Sequence, residues 1–254
     1  MYIYCEPEEK TLEVITVNLH TELIEKLYQC NLCHLCNEGN LGPTAFNGSM
    51  ASPIAIVGEG PGETEDQFGV PLIGNSGKLL DKALWSVGIT RDRVYTTNII
   101  KCRPKGNRTP TVDEGSFCAT RWLDNELAAV KPRIIIALGS VALKYLLNAN
   151  ARITKDRGKW FQTKYGIPAI ATYHPAFLLR LTGKELVKAK WETFYDLQAA
   201  ANRCTEIEPD YLLKSAAPLD LLALYSANKG KQRGISESNV RKENANGNEL
   251  SHSL

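Results

Sequence analysis

Two groups of residues in this sequence have types and spacings suited to chemistry. The first is thiol. Of seven cysteines, three crowd together as Cys30-Asn-Leu-Cys33-His-Leu-Cys36, two stand at Cys102 and Cys118, and Cys5 and Cys204 lie apart. In a reducing compartment such grouping favours metal over disulfide. Four thiolates can hold tetrahedral zinc or an iron-sulfur cluster. Two local pairs are the commoner zinc arrangement, so one tight pair plus two dispersed thiols leans towards iron and sulfide. Cys30-x-x-Cys33-x-x-Cys36 equally suits a ferredoxin-like run, and spacing alone leaves the ligand set open.

The second group is a carboxylate, an amide and an imidazole. Glu59, Asn98 and His174 each terminate a run that reads as a core strand, and ligands of open α/β sheets sit beyond the carboxyl ends of strands. A lone histidine there is usually structural; its company raises it. Together the three can activate water, read a base edge and stabilise a leaving anion. Gly58-x-Gly60-x-Gly62 superficially offers a phosphate cradle. Glu63 stands where a dinucleotide fingerprint needs glycine, however, and Glu59, Glu63, Glu65 and Asp66 would repel a pyrophosphate. The loop is better suited to presenting a carboxylate and capping the next helix with acid.

The elements that position these groups alternate. Pro53 to Val57, Arg93 to Lys101, Ile134 to Gly139, Trp160 to Gln162 and Ile167 to Tyr173 read as strands. Lys78 to Val87, a stretch capped by Thr111 and Glu114 and ending before Pro132, Ser140 to Leu147, and Lys184 to about Ala201 read as helices. Pro175 starts a helical turn after His174. The pattern predicts an α/β fold, a three-layer α/β/α sandwich with a mainly parallel central sheet. Upstream, Leu12 to Leu19 alternates like a strand and Thr21 to Tyr28 has helical spacing. The expected organisation is an N-terminal segment, residues 1–29, a main domain, residues 30–206, and an extension, residues 207–254. Leu212 to Tyr225 holds enough apolar residues for a short helix, and the polar stretch from about 226 reads as disordered.

Composition bounds the class. The chain has 254 residues, 43% hydrophobic and 23% charged, with formal net charge +2. It has no apolar run near membrane-spanning length and no signal-peptide pattern at its start. A soluble, intracellular and cytoplasmic protein is expected. Net charge does not announce nucleic-acid binding, so any basic surface must be local.

Four stretches, in order, carry a resemblance. Gly58-Glu-Gly-Pro-Gly-Glu-Thr-Glu-Asp-x-x-Gly-x-Pro, Thr97-Asn-Ile-Ile-Lys-Cys-Arg-Pro, Ile153-Thr-Lys-x-Arg-Gly-Lys-Trp160 and His174-Pro-Ala-Phe-Leu-Leu-Arg180 resemble the family 4 uracil-DNA glycosylases, the iron-sulfur branch of that superfamily. The similarity runs from about Cys30 to about Leu197. It implies a 4Fe-4S cluster on Cys30, Cys33, Cys102 and Cys118, with Cys36 as an extra thiol. It also implies a monofunctional enzyme that flips deoxyuridine from the duplex and hydrolyses its N-glycosidic bond. By that resemblance Asn98 pairs with uracil, His174 stabilises charge on the uracil O2, and Glu59 activates water. Gly60 contributes a backbone amide, Asn107 lies near water or sugar, and Glu65 crowds the base's C5 to exclude thymine.

For DNA, the resemblance makes Ala176 to Arg180 a wedge loop, with Phe177, Leu178 or Leu179 filling the vacated stack and Arg180 on phosphate. Lys101, Arg103, Lys105 and Arg108 surround Cys102. Singly each is a solvated charge; together they suit phosphate contacts. One departure matters. The family places phenylalanine where this chain has Leu72, and losing a base-aromatic stack worth roughly 1–3 kcal/mol weakens binding by about tenfold or more. Phe68 is a nearby ring in sequence. The basic insert with a covalent histidine found in a related branch is absent between Trp160 and His174, so covalent trapping on DNA is not expected. A monomer acting on uracil-containing DNA is expected. The alternative is a glycosylase-like DNA-binding or replication-accessory protein with weak or no catalysis, its tail docking a protein partner; an electron carrier fits less well.

Overall fold

The structure is a computed structural model that describes residues 9–209, 211 and 220–227. Two compact units divide the chain, Met1–Leu219 and Asp220–Leu254. The second is described only around helix α10, Leu221–Ala227. The stretch from 228 onward, expected to be disordered and to dock a partner, lies outside the described residues, as do residues 212–219 of the expected short helix.

The first unit is built on one six-stranded sheet. Its strands are β1 (Asn47–Gly48), β2 (Ile54–Gly58), β3 (Tyr95–Asn98), β4 (Ile134–Leu138), β5 (Trp160–Gln162) and β6 (Pro168–Thr172). They lie in the order β1-β3-β2-β4-β6-β5. The four inner strands are parallel, and the short edges β1 and β5 pair antiparallel. Every residue of β2, β3 and β4 is buried, which is why β2 and β4 read as unbroken apolar runs.

Period-two alternation still sorts their side chains between the faces. Ala55, Val57, Ile135, Ala137, Ala169 and Ala171 join one core, and Ile54, Ile56, Ile134, Ile136 and Ile170 join the other. Helices α1 (Glu9–Tyr28), α4 (Val112–Arg121), α5 (Leu123–Val130) and α6 (Gly139–Leu146) supply Leu27, Ala119, Leu127 and Leu143 to the first core. Helices α3 (Asn75–Ser86) and α9 (Gly183–Ile207) supply Leu80, Leu84, Leu197 and Ala200 to the second. The result is the expected α/β/α sandwich. Three shorter helices, α2 (Glu63–Phe68), α7 (Ile153–Asp156) and α8 (Pro175–Leu178), lie in the connections.

Two expectations fail. Leu12 to Leu19 is helix, not strand: it forms the first half of α1. No glycine or proline interrupts the chain from Lys10 to Tyr28, so helical hydrogen bonding runs through β-branched residues whose local preference is weak beside cooperative propagation. The single helix expected after Thr111 is two, broken at buried Trp122. The Thr111–Glu114 capping box is present, with each side chain accepting from the other's backbone amide. Among the described residues no helix is long and apolar enough to cross a membrane.

Candidate active site and thiol cluster

The carboxyl ends of the parallel strands assemble the first group. Gly58 and Asn98 are register partners. The ladder continues beyond them, the Ile99 amide donating to the Gly58 carbonyl at 2.9 Å and the Ile100 amide to the Glu59 carbonyl at 3.1 Å. Asn98 and Glu59 are thereby fixed on neighbouring strand ends, with Gly60 following against the Ile100 side chain. On the other side of β2, β4 ends at Leu138, with Gly139 next, and β6 leads through Tyr173 to His174. Gly139 has φ +83°, and a Cβ there would lie 2.8 Å from the His174 Cβ, so only glycine lets the histidine sit this close.

Asn98 is 1% exposed, yet neither its Nδ2 nor its Oδ1 has a hydrogen-bond partner. A buried amide left unpaired at both ends is costly and calls for a ligand. Gly58 makes room for it: a Cβ at that position would fall 2.4 Å from the Asn98 Oδ1 and 3.7 Å from the Leu72 Cδ1. The same probe places Leu72 beside the amide. Leu72 is buried and holds φ 52°, an uncommon conformation for leucine.

His174 caps α8, its Nδ1 accepting from the Ala176 amide at 3.2 Å. An accepting Nδ1 carries no proton, so the neutral ring bears its hydrogen on Nε2. Burial, then the nearby Arg180 guanidinium, lowers its pKa to about 4, so the ring is uncharged near neutrality. Burial raises the Glu59 carboxyl above its ordinary value, partly opposed by Arg180. Arg180 is exposed and acts electrostatically on both groups.

Several sequence-predicted residues stand elsewhere. Glu65 does not offer a free carboxylate to a base. Its Oε2 accepts from the Gly62 amide at 3.1 Å, and its Oε1 from the Ile73 and Gly74 amides at 3.0 and 2.8 Å. It ties the loop together around Leu72. Lys101 is not a surface residue: it is 1% exposed, and its Nζ lies 2.7 Å from Glu126 and donates to the Thr97 hydroxyl. Leu178 is buried, facing an apolar cavity of about 250 Å³ that Leu79, Leu138 and Phe194 also line. Leu179, at 52% exposed, is the open tip of that turn. Phe177 packs against Tyr173 at 4.9 Å between centroids.

The basic loop is largely answered from within. Arg108 pairs with Glu38 and Glu114 at 2.8 and 2.6 Å, and Arg103 donates to the Asn107 Oδ1 at 2.7 Å. Asn107 is exposed with φ 56°. Phe68 ends α2 and is partly buried. Sequence reasoning missed Glu126, although a signal existed: it shares the apolar face of α5 with Leu123, Leu127 and Val130.

The thiols converge where β3 exits towards α4. Cys36 Sγ lies 3.6 Å from Cys102 Sγ. Cys102 feels Cys36, Cys118 and Cys33 electrostatically, and Cys118 feels Cys33 and Cys30. Burial pushes the Cys102 thiol up strongly and that of Cys118 to about 12. The Lys101 amide donates to the Cys118 Sγ at 3.3 Å, the kind of donor that stabilises a ligating thiolate. Thiolates around one zinc, with Zn–S near 2.3 Å, stand about 3.8 Å apart. Among the described residues, the group of three or more donors drawn within 4.8 Å of one another is His34, Glu38 and Glu114, not three cysteines. The His34 group is already occupied by the Arg108 guanidinium.

Comparison with known proteins agrees with this geometry. The sequence profile of the Uracil DNA glycosylase superfamily matches residues 46–198. A "Type-4 uracil-DNA glycosylase" of Thermotoga maritima is 39% identical over 164 residues, 64% of this chain and 84% of that protein. One of Archaeoglobus fulgidus is 33% identical over 202 residues, 75% of this chain and 98% of that protein. A "DNA polymerase" of Bacillus phage SP01 is 33% identical over 189 residues, 73% of this chain but 18% of that protein. With the profile spanning strands β1 to β6 and the site they carry, the chain belongs to the uracil DNA glycosylase superfamily.

Proposed function

We propose that this protein is a monofunctional uracil-DNA glycosylase that removes uracil from DNA and leaves an abasic site. The observation that carries the reading is the buried, doubly unpartnered amide of Asn98, on the strand end next to the one that leads into Glu59. Flipped uracil answers it: the Asn98 Nδ2 donates to uracil O4, and its Oδ1 accepts from N3–H. Cytosine presents the opposite donor and acceptor at those atoms and leaves the amide unpaired. As the glycosidic bond breaks, negative charge gathers on the base and positive charge on the sugar. The His174 Nε2–H donates to uracil O2, and its neutrality leaves that proton in place. The Glu59 carboxylate favours the cationic sugar and takes a proton from the attacking water. Leu179 fills the vacated stack, and Arg180 reaches the phosphate beside it.

The thiols fit an iron-sulfur centre held by Cys30, Cys33, Cys102 and Cys118, consistent with the relatives' type-4 naming. When bound, such a 4Fe-4S cluster supplies metal–thiolate bonds that cross-link the N-terminal turn to the exit of β3 and to α4.

The test is excision from a uracil-containing oligonucleotide by cluster-loaded protein. Abasic sites are expected, and release no greater than that of the Glu59→Ala, His174→Ala double variant sinks the reading. The phage polymerase match favours a second one, a DNA-binding accessory of replication, for which DNA is bound with no uracil released.

A further inference from the structure

We propose that Cys36 is a reserve ligand for the position that Cys102 fills, an inference that rests on the cluster reading above. Terminal thiolates on separate irons are held apart by the cluster itself, so two sulfurs in contact offer one ligand position rather than two. Cys36 and Cys102 are such a pair at 3.6 Å. The elements that carry them differ. Cys102 is buried at the exit of β3, whereas Cys36 is partly buried on a one-turn 3-10 helix, His34–Asn37, whose buried residue is Leu35. That turn moves more cheaply than the strand end. Cys36 also stands beside Cys33, which keeps it at the edge of the cluster site. The exchange balances without an oxidant or reductant. With a cluster bound, Cys36 would take the ligand position as Cys102 left it, the proton of the incoming Cys36 thiol passing to the departing Cys102 thiolate. The consequence is a cluster that survives damage at Cys102 but not at Cys118.

The test uses the full chain, reconstituted anaerobically, with iron, acid-labile sulfide and visible absorption measured per chain. Cys102→Ala and the isosteric Cys102→Ser are expected to keep most of the wild-type iron, as is Cys36→Ala. The Cys36→Ala, Cys102→Ala double variant and Cys118→Ala are expected to lose nearly all of it. Iodoacetamide labelling read by mass spectrometry gives a second measure: Cys36 is labelled in loaded wild type and protected in loaded Cys102→Ser. Loaded wild type beside Cys102 variants as empty as the double variant overturns the proposal alone. So does a Cys36→Ala protein as empty as Cys118→Ala, which would make Cys36 an ordinary ligand. A wild type that binds no iron removes the cluster reading, and this proposal with it.

Discussion

An unpaired buried amide costs about 1–3 kcal/mol, and Asn98 is unpaired at both of its polar atoms. The fold bears that cost near Leu72, the position where the family resemblance expects phenylalanine. Leu72 is buried in a left-handed conformation, and its Cδ1 borders the space at Gly58 that the Asn98 Oδ1 also borders. Leu72→Phe is expected to raise uracil excision under subsaturating conditions by about tenfold, because a base-aromatic stack is worth roughly 1–3 kcal/mol; single-turnover kinetics on one oligonucleotide measures it, and an unchanged rate refutes the account of Leu72. A second expectation concerns pH. Glu59 titrates above its ordinary 4.5, whereas His174 is lowered from 6.5 to about 4. Falling pH therefore removes the Glu59 carboxylate first, while the imidazole stays neutral. The profile of kcat/KM should fall on an acid limb that lies above 4.5 and belongs to Glu59. Glu59→Gln should abolish that limb and lower the rate by about a hundredfold or more. A limb near 6.5 that survives in Glu59→Gln would mean an ordinarily titrating His174. That Glu59, Asn98 and His174 stand at strand ends was legible because each follows a run that reads as a strand. Glu65 was not, since its partners are backbone amides that only the closed loop brings to it.

At the scale of elements, Lys101 shows how a local pattern misleads. Its neighbours Arg103, Lys105 and Arg108 suggested a basic surface, but the chain leaving β3 still runs inside the fold and turns Lys101 towards α5. There it meets Glu126 and Thr97 in full burial. Such a pair is a poor source of net stability, yet removing one partner strands the other charge. Lys101→Met should therefore destabilise the protein by about 3–5 kcal/mol, and Lys101→Met with Glu126→Leu should recover most of that loss. Urea denaturation of the two variants against wild type decides it; equal losses would show that the pair is not the coupled unit described. The wedge turn carries the same lesson. Phe177, Leu178 and Leu179 are equivalent in sequence, and a helix as short as α8 has no periodicity of its own to fix its phase. The cavity beneath it takes Leu178 and leaves Leu179 outside.

Across the whole molecule, the sandwich was readable because its inner strands are short apolar runs separated by helices with caps and stops. The N-terminal region was not, because alternating residues in Leu12 to Leu19 imitate a strand, while the chain runs as one helix through to Tyr28, with Ile24 and Leu27 in the first core. That helix delivers the chain to Cys30 and Cys33, so a centre held on the proposed thiols would close a long loop from there to Cys102 and a shorter one on to Cys118. Closing a loop of that length by a crosslink is worth about 4 kcal/mol in chain entropy, or on the order of 10 °C in Tm for a domain of this size. Iron removal by a chelator under reducing conditions should therefore lower Tm by roughly that amount. The far-UV dichroism of the sandwich should persist, because none of the thiols lies on a strand of the sheet, although Cys102 and Cys118 belong to the first core. Hydrogen exchange should quicken first around Cys30 to Cys36 and along α4. If complete iron removal left Tm and exchange unchanged, the centre would not be cross-linking these segments, and the sheet and its cores would hold them in place unaided.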